Sequence, residues 1–237
     1  MSVRLRSFVF FLVATACLIN GVQQAPAADE DLNHITHGPV LGRLSSHGIG
    51  IWARTARSGQ FEVKYGFSPT QMDQRTDAVS TRIGHDNTGW VHIQGLKADT
   101  KYYYELAIPG SVFRTGKKGS FRTLPDPKEL VDPKLNPRGL YNLSFEFACG
   151  NNQNPPNSLG PALPTFKTML DKLKDKIHFA VLNGDWLYES QRSYKVSQWL
   201  AQVSRPKTDV PHVVKVAPTI VGVWQNYKHY YQQAPNL

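Results

Sequence analysis

Between residues 34 and 124, apolar and polar positions alternate in short runs. Ile49-Gly50-Ile51-Trp52-Ala53, Phe61-Glu62-Val63-Lys64-Tyr65 and Trp90-Val91-His92-Ile93 all have period-two character, as expected of strands with one face buried. Ser58-Gly59, Asn87-Thr88-Gly89 and Pro109-Gly110 punctuate the runs. Several short strands at such intervals predict an all-β sandwich. Residues 125–141 hold Pro125, Pro127, Pro133, Pro137 and Gly139 with few apolar side chains, and read as a linker. From residue 142 the grammar changes. Leu143 to Ala148 and Ile177 to Leu182 read as strands. Phe166, Met169, Leu170 and Leu173 fall at helical spacing after Pro164-Thr165, as do Val196, Trp199, Leu200 and Val203. Pro218-Thr219-Ile220-Val221-Gly222-Val223 reads as a third strand. The order βαβαβ predicts right-handed parallel crossovers over residues 142–237.

The strongest local signal in the first part is Leu96-Lys97-Ala98-Asp99-Thr100-Lys101-Tyr102-Tyr103-Tyr104-Glu105-Leu106. It resembles the E–F corner and F strand of fibronectin type III domains. The resemblance implies a core ring for Tyr102 with its hydroxyl bonded to nearby backbone, and a buried role for Trp52. The expected fold class is therefore two-domain: an all-β fibronectin III-like sandwich over 34–124, then a partial α/β domain. Such a sandwich does not by itself name a function.

The first 27 residues read as an address. Arg4 and Arg6 make a basic start, Phe8 to Ile19 an apolar core, and Ala25-Pro26-Ala27 a small-x-small cleavage site before Ala28. A core of about twelve residues is too short to span a bilayer, which takes about twenty. The expectation is a signal peptide over 1–27, export to the periplasm or the extracellular space, and no transmembrane segment after cleavage. Arg4-Leu5-Arg6 is not a twin arginine, which points to the general secretory route.

The formal charge is +9 and falls to +7 once Arg4 and Arg6 leave with the leader. The excess is spread along the chain without a like-charge run, so it suits anionic substrates without reading as a nucleic-acid module. Of two cysteines, Cys17 lies in the leader and Cys149 remains alone. A single cysteine in an exported chain asks for a reason beyond packing.

That reason lies at the strand ends. In an open parallel sheet, ligands bind beyond the carboxyl ends of the strands. The expected first strand ends at Cys149-Gly150-Asn151-Asn152, the second at Asn183-Gly184-Asp185-Trp186-Leu187-Tyr188-Glu189, and the third at Trp224-Gln225-Asn226-Tyr227. Cys149, Asp185 with Tyr188, and Asn226 therefore converge on one edge. A thiolate and a phenolate suit a trivalent ion such as iron. A carboxylate can bridge two ions, and an amide oxygen suits a harder divalent cation. Two ions so placed clamp a phosphate and generate a hydroxide for in-line attack.

Phe147-Ala148-Cys149-Gly150-Asn151-Asn152-Gln153 resembles the Phe-x-Ser-Cys-Gln strand end of PhoD-like alkaline phosphatases and phosphodiesterases, with glycine following the cysteine in place of serine preceding it. Gly184-Asp185-Trp186-Leu187-Tyr188-Glu189 is similar to that family's Gly-Asp-Tyr-x-Tyr-Glu. The resemblance implies that Cys149, Asp185 and Tyr188 hold Fe3+, and that Asp185 also reaches Ca2+ and bridges the pair. A divalent metal such as Zn2+ is the alternative. It implies phosphate mono- or diesters as substrates, in a metallophosphatase domain over 142–237.

Two departures qualify this. Trp224-Gln225-Asn226-Tyr227-Lys228 stands where the family has Trp-Asp-Asp-His and an acid; Asn226 can still offer an amide oxygen to the second ion. The chain also stops at Leu237, before the family's further ligands. This predicts a truncated domain with little turnover by itself, or a partner supplying the other half. A non-catalytic envelope-binding scaffold and a gene-fragment remnant stay open beside the hydrolase.

Overall fold

Alternation builds the first part of the chain as expected. The computed structural model describes residues 33–110, 117–149, 164–185, 193–203 and 209–231. Eight strands come first: β1 (Ile35–Gly42), β2 (Gly48–Thr55), β3 (Gly59–Gly66), β4 (Gln74–Arg75), β5 (Val79–Thr81), β6 (Thr88–Gln94), β7 (Lys101–Ala107) and β8 (Lys118–Arg122). They form two antiparallel sheets. One has the order β1-β2-β6; the other has the order β4-β3-β7-β8 with β5 also on β3.

Period two decides which side chains meet. Ile49, Ile51 and Ala53 of β2 and Val91 and Ile93 of β6 turn inward from the first sheet. Phe61 and Val63 of β3, Tyr102, Tyr104 and Leu106 of β7, and Phe121 of β8 answer from the second, in one apolar cluster. The Tyr102 ring is buried, and its hydroxyl accepts a hydrogen bond from the Lys97 backbone N–H at 2.9 Å, as the Leu96–Leu106 pattern predicts.

Trp52 departs from expectation. With Ile51 and Ala53 facing the core, parity turns Trp52 to the opposite face of β2. There it is half-buried, its ring centroid 5.3 Å from that of Tyr231.

The later part has fewer strands and more helix. β9 (Phe145–Ala148) and β10 (Phe179–Leu182) form a parallel pair, with α1 (Pro164–Leu173) between them in sequence. Next come α2 (Val196–Val203), α3 (His212–Val216) and α4 (Ile220–Tyr231). The two expected helices and the first two expected strands are present, although Phe145 and Phe147 are more than half exposed.

The third expected strand is a correction. Residues 220–231 are helical, because their buried positions repeat at helical rather than strand spacing. Val221 and Lys228 are buried and Trp224 packs with them on one face. Among the described residues, β9 and β10 therefore form a two-stranded sheet.

The helices α2 to α4 close a second apolar cluster around Trp199, Val203, Val214 and Val221, which also takes in Ile83 from the short turn between β5 and β6. α4 lies on β1, and α3 on that turn. The β1 side of the outer face of the β1-β2-β6 sheet is thus packed by α4, while Trp90 on β6 stays 40 % exposed. No helix among the described residues is long and apolar enough to cross a membrane.

Candidate functional site

β9 and β10 run in register, Ala148 opposite Leu182. The Asn183 N–H then donates to the Ala148 carbonyl at 2.7 Å, carrying the ladder past the end of β10. Cys149 and residues 183–185 therefore leave the same edge together. Gly184 has φ +132, open to glycine and strained for other residues, and Asp185 has φ 56. This sharp turn brings the carboxylate back toward the neighbouring strand end. The Cys149 thiol donates to Asp185 Oδ2 across 3.9 Å.

The pair fits a metal. A thiolate and a carboxylate bound to one ion at about 2.3 and 2.1 Å sit roughly 3.5 Å apart, close to the spacing observed. Both side chains are exposed, which leaves room for further ligands beside them.

The other two sequence-predicted ligands are not joined to this pair in the structure. Tyr188 lies outside the described residues. Asn226 sits on α4, where its Nδ2 donates to the Gly222 carbonyl at 2.9 Å. With the third strand replaced by that helix, the expected strand end carrying Asn226 does not exist.

Two further clusters escape sequence reading. The first joins His47, in the β1–β2 connection, to Asp126 and Glu129 at the start of the 125–141 segment. Their ligand atoms lie within 4.8 Å of one another, and His47 Nε2 is 2.8 Å from Asp126 Oδ2.

The second is a buried charge network. Asp86 is 2 % exposed and sits at φ 51 just after the Ile83–His85 turn. Arg54 donates to its two oxygens at 3.1 and 3.2 Å, the Trp199 indole donates at 2.8 Å, and Lys228 Nζ stands 3.6 Å away. Burial pushes the Lys228 ammonium down to about 8, against the opposing pull of Asp86. His37, also buried, is pushed down to about 3, chiefly by burial and then by Arg54 and Lys228. Beside this network, a cavity of about 240 Å³ lies between the sheet and α4, walled by Trp52, Trp90, Trp224, Tyr227 and Tyr231.

Residues 21–125 match the family model of the PhoD-like phosphatase N-terminal domain. This stretch is thus a PhoD-like phosphatase N-terminal domain. The match begins inside the stretch read as a leader and ends where the linker begins. Among solved structures, this PhoD-like chain is similar to PhoD itself, with a TM-score of 0.50 and 15 % identity over 83 % of this chain and 34 % of that one. At that identity the likeness shows the fold, and the chain spans about a third of the PhoD structure it matches.

Smaller likenesses cover about two fifths of the chain. The sensor domain of the anti-sigma factor RsgI4 in Pseudobacteroides cellulosolvens aligns at TM-score 0.31 and 13 % identity, over 39 % of this chain and 95 % of that one. The FN3 domain of human collagen XX aligns at 0.29 and 20 %, over 42 % and 98 %. No curated protein sequence matches the chain.

Proposed function

We propose that this PhoD-like chain belongs to an exported, metal-dependent phosphoric ester hydrolase acting on phosphate mono- or diesters. In this reading, residues 1–27 are the export leader, residues 34–124 a fibronectin III-like sandwich, and residues 142–237 part of the metallophosphatase domain. The observation that carries it is the approach of Cys149 Sγ to Asp185 Oδ2 within 3.9 Å, at the carboxyl ends of two parallel strands. Two donors 36 positions apart are brought to one sheet edge, where open α/β sheets bind ligands.

The roles follow from donor chemistry. Cys149, once deprotonated, and Asp185 hold the first ion, with Tyr188 as its third ligand. Fe3+ would suit that set, and the Asp185 carboxylate would also serve Ca2+, which takes oxygen ligands. When bound, two such ions clamp the phosphate and supply a hydroxide nucleophile. The turn at Gly184 fixes the direction of the Asp185 carboxylate, and the formal charge of +7 left after the leader is removed favours approach of an anionic ester.

Elemental analysis and visible absorption of the full chain purified with iron present test the reading. One iron per chain is expected, with a charge-transfer band that Tyr188→Phe shifts or removes. Asp185→Asn should lower iron affinity about tenfold or more, equivalent to about 1.4 kcal/mol. Colourless, iron-free protein overturns the site. Amino-terminal sequencing of exported protein should begin at Ala28; an intact Met1 overturns the leader.

A further inference from the structure

We propose that His47, Asp126 and Glu129 form a second metal site, for a divalent ion of the zinc class. It pins the start of the 125–141 segment onto the β1–β2 and β6–β7 connections. This inference goes beyond the hydrolase reading and shares no residue with the Cys149–Asp185 pair.

The case begins with His47. Its Nδ1 lies 2.9 Å from the carbonyl of Leu96, in the β6–β7 connection. With Nδ1–H donating to that carbonyl and Nε2 facing a carboxylate, the metal-free ring is favoured with a proton on both nitrogens, Asp126 and then the Leu96 carbonyl raising its pKa. An ion would take the place of the Nε2 proton, with the Nδ1 hydrogen still committed to Leu96. A backbone carbonyl on the far nitrogen is the usual outer support of a metal-bound histidine, because it fixes both tautomer and ring direction. Here it comes from outside the three-residue cluster. Nε2 is aimed at Asp126 Oδ2, 2.8 Å away.

The acidic donors are placed independently. The Ser46 hydroxyl donates to the Pro125 carbonyl at 2.8 Å, and the Leu124 N–H to the Ser45 carbonyl at 3.1 Å. These bonds hold the chain beside the β1–β2 connection as it leaves the sheets. Asp126 then opens a tight turn, its backbone carbonyl accepting from the N–H groups of Glu129 and Leu130. That turn returns Glu129 to the side where Asp126 faces His47, so all three ligand atoms fall within 4.8 Å of one another.

Donor chemistry selects the ion. One imidazole and two carboxylates suit zinc and its neighbours in the first transition row. Calcium asks for six to eight oxygens and finds too few here. The absence of a thiolate separates this set from the one at Cys149. Three protein donors leave a fourth position to water, so binding should be weaker than in a closed four-ligand site. The ion would tie together three stretches distant in sequence: the β1–β2 connection, through His47 the β6–β7 connection, and the first turn of the 125–141 segment.

The experiment uses the full chain carrying Cys149→Ser and Asp185→Asn, which removes the other donor pair. Zinc is titrated by calorimetry and by competition with a chromophoric chelator, and thermal midpoints are read with and without zinc. One equivalent of zinc is expected, with a midpoint that rises as zinc saturates the native state. His47→Gln should weaken binding about tenfold or more and abolish the rise. Glu129→Gln, which removes an exposed carboxylate, keeps the test open if the first variant misfolds, and should weaken zinc several-fold. A chain that binds no zinc, or binds it equally well in both variants, overturns the site.

Discussion

Replacing Asp86 by asparagine tests whether buried charge holds the carboxyl-terminal helices on the sheet. The substitution is chosen for its backbone. Asp86 has φ 51, and asparagine is one of the few residues at ease there, so the change is confined to the side chain. The native carboxylate receives two bonds from Arg54 and one from the Trp199 indole, with Lys228 Nζ at 3.6 Å. The amide leaves one acceptor oxygen for these donors and no anion for two cations, whose side chains are only 6 % and 5 % exposed. Breaking a buried ion pair by removing one partner costs about 3–5 kcal/mol. The remaining acceptor bond recovers about 1 kcal/mol, which places the loss near the lower end, at about 3 kcal/mol. For a chain of this size each kcal/mol moves the thermal midpoint by about 2–4 °C, giving a fall of roughly 6–12 °C.

Urea denaturation followed by tryptophan fluorescence is the direct assay, because the rings of Trp199 and Trp224 lie 5.4 Å apart inside the helix cluster. Repeating it in a Lys228→Met background separates the contributions. That background has one buried cation fewer, so Asp86→Asn should cost about 1 kcal/mol less there. A total loss below about 1 kcal/mol, or the same loss in both backgrounds, refutes the network as the anchor of the helices.

Three other outcomes are expected. Lys228 titrates at about 8 when folded against 10.5 when free; between these values the unfolded chain holds the proton that the folded chain has released, so stability rises with pH. Urea midpoints should show this rise from about pH 8 to about pH 9.5, below the tyrosine range, and Lys228→Met should flatten it. Tyr102→Phe removes the acceptor of the Lys97 N–H; it should cost about 1 kcal/mol and speed hydrogen exchange at that amide. Gly184→Ala forces an alanine to φ +132, at about 1–3 kcal/mol of local strain; by turning Asp185 away from Cys149 it should weaken iron binding, read from the charge-transfer band.

What is legible in the sequence follows from the range over which each signal acts. Ile49, Ile51 and Ala53, or Tyr102, Tyr104 and Leu106, announce their strands because every second residue meets the same core. Cys149 and Asp185 are legible because two parallel strands must end on the same edge whatever lies between them. The burial of Asp86 is not. Trp199 and Lys228 reach it from 113 and 142 positions away, and no local pattern links them. The same holds for His47 and Asp126, 79 positions apart.

Residues 218–223 differ in kind, because the pattern that decides their structure is present but runs well past the segment itself. Thr219, Ile220, Val221 and Val223 are β-branched, and so short a run by itself suits a strand. The sequence through residue 231 points the other way. Val221 and Lys228 are both buried and Trp224 packs with them. In a strand, Val221 would face one side while Trp224 and Lys228 faced the other, so the three cannot share one buried face. At helical spacing they do. A lysine at the buried end hides the pattern, because it counts as polar until Asp86 is known to receive it. The ion pair that anchors α4 is therefore the same fact that removes Asn226 from the sheet edge: a segment cannot offer Lys228 to Asp86 along a helix face and also end a third parallel strand at Asn226.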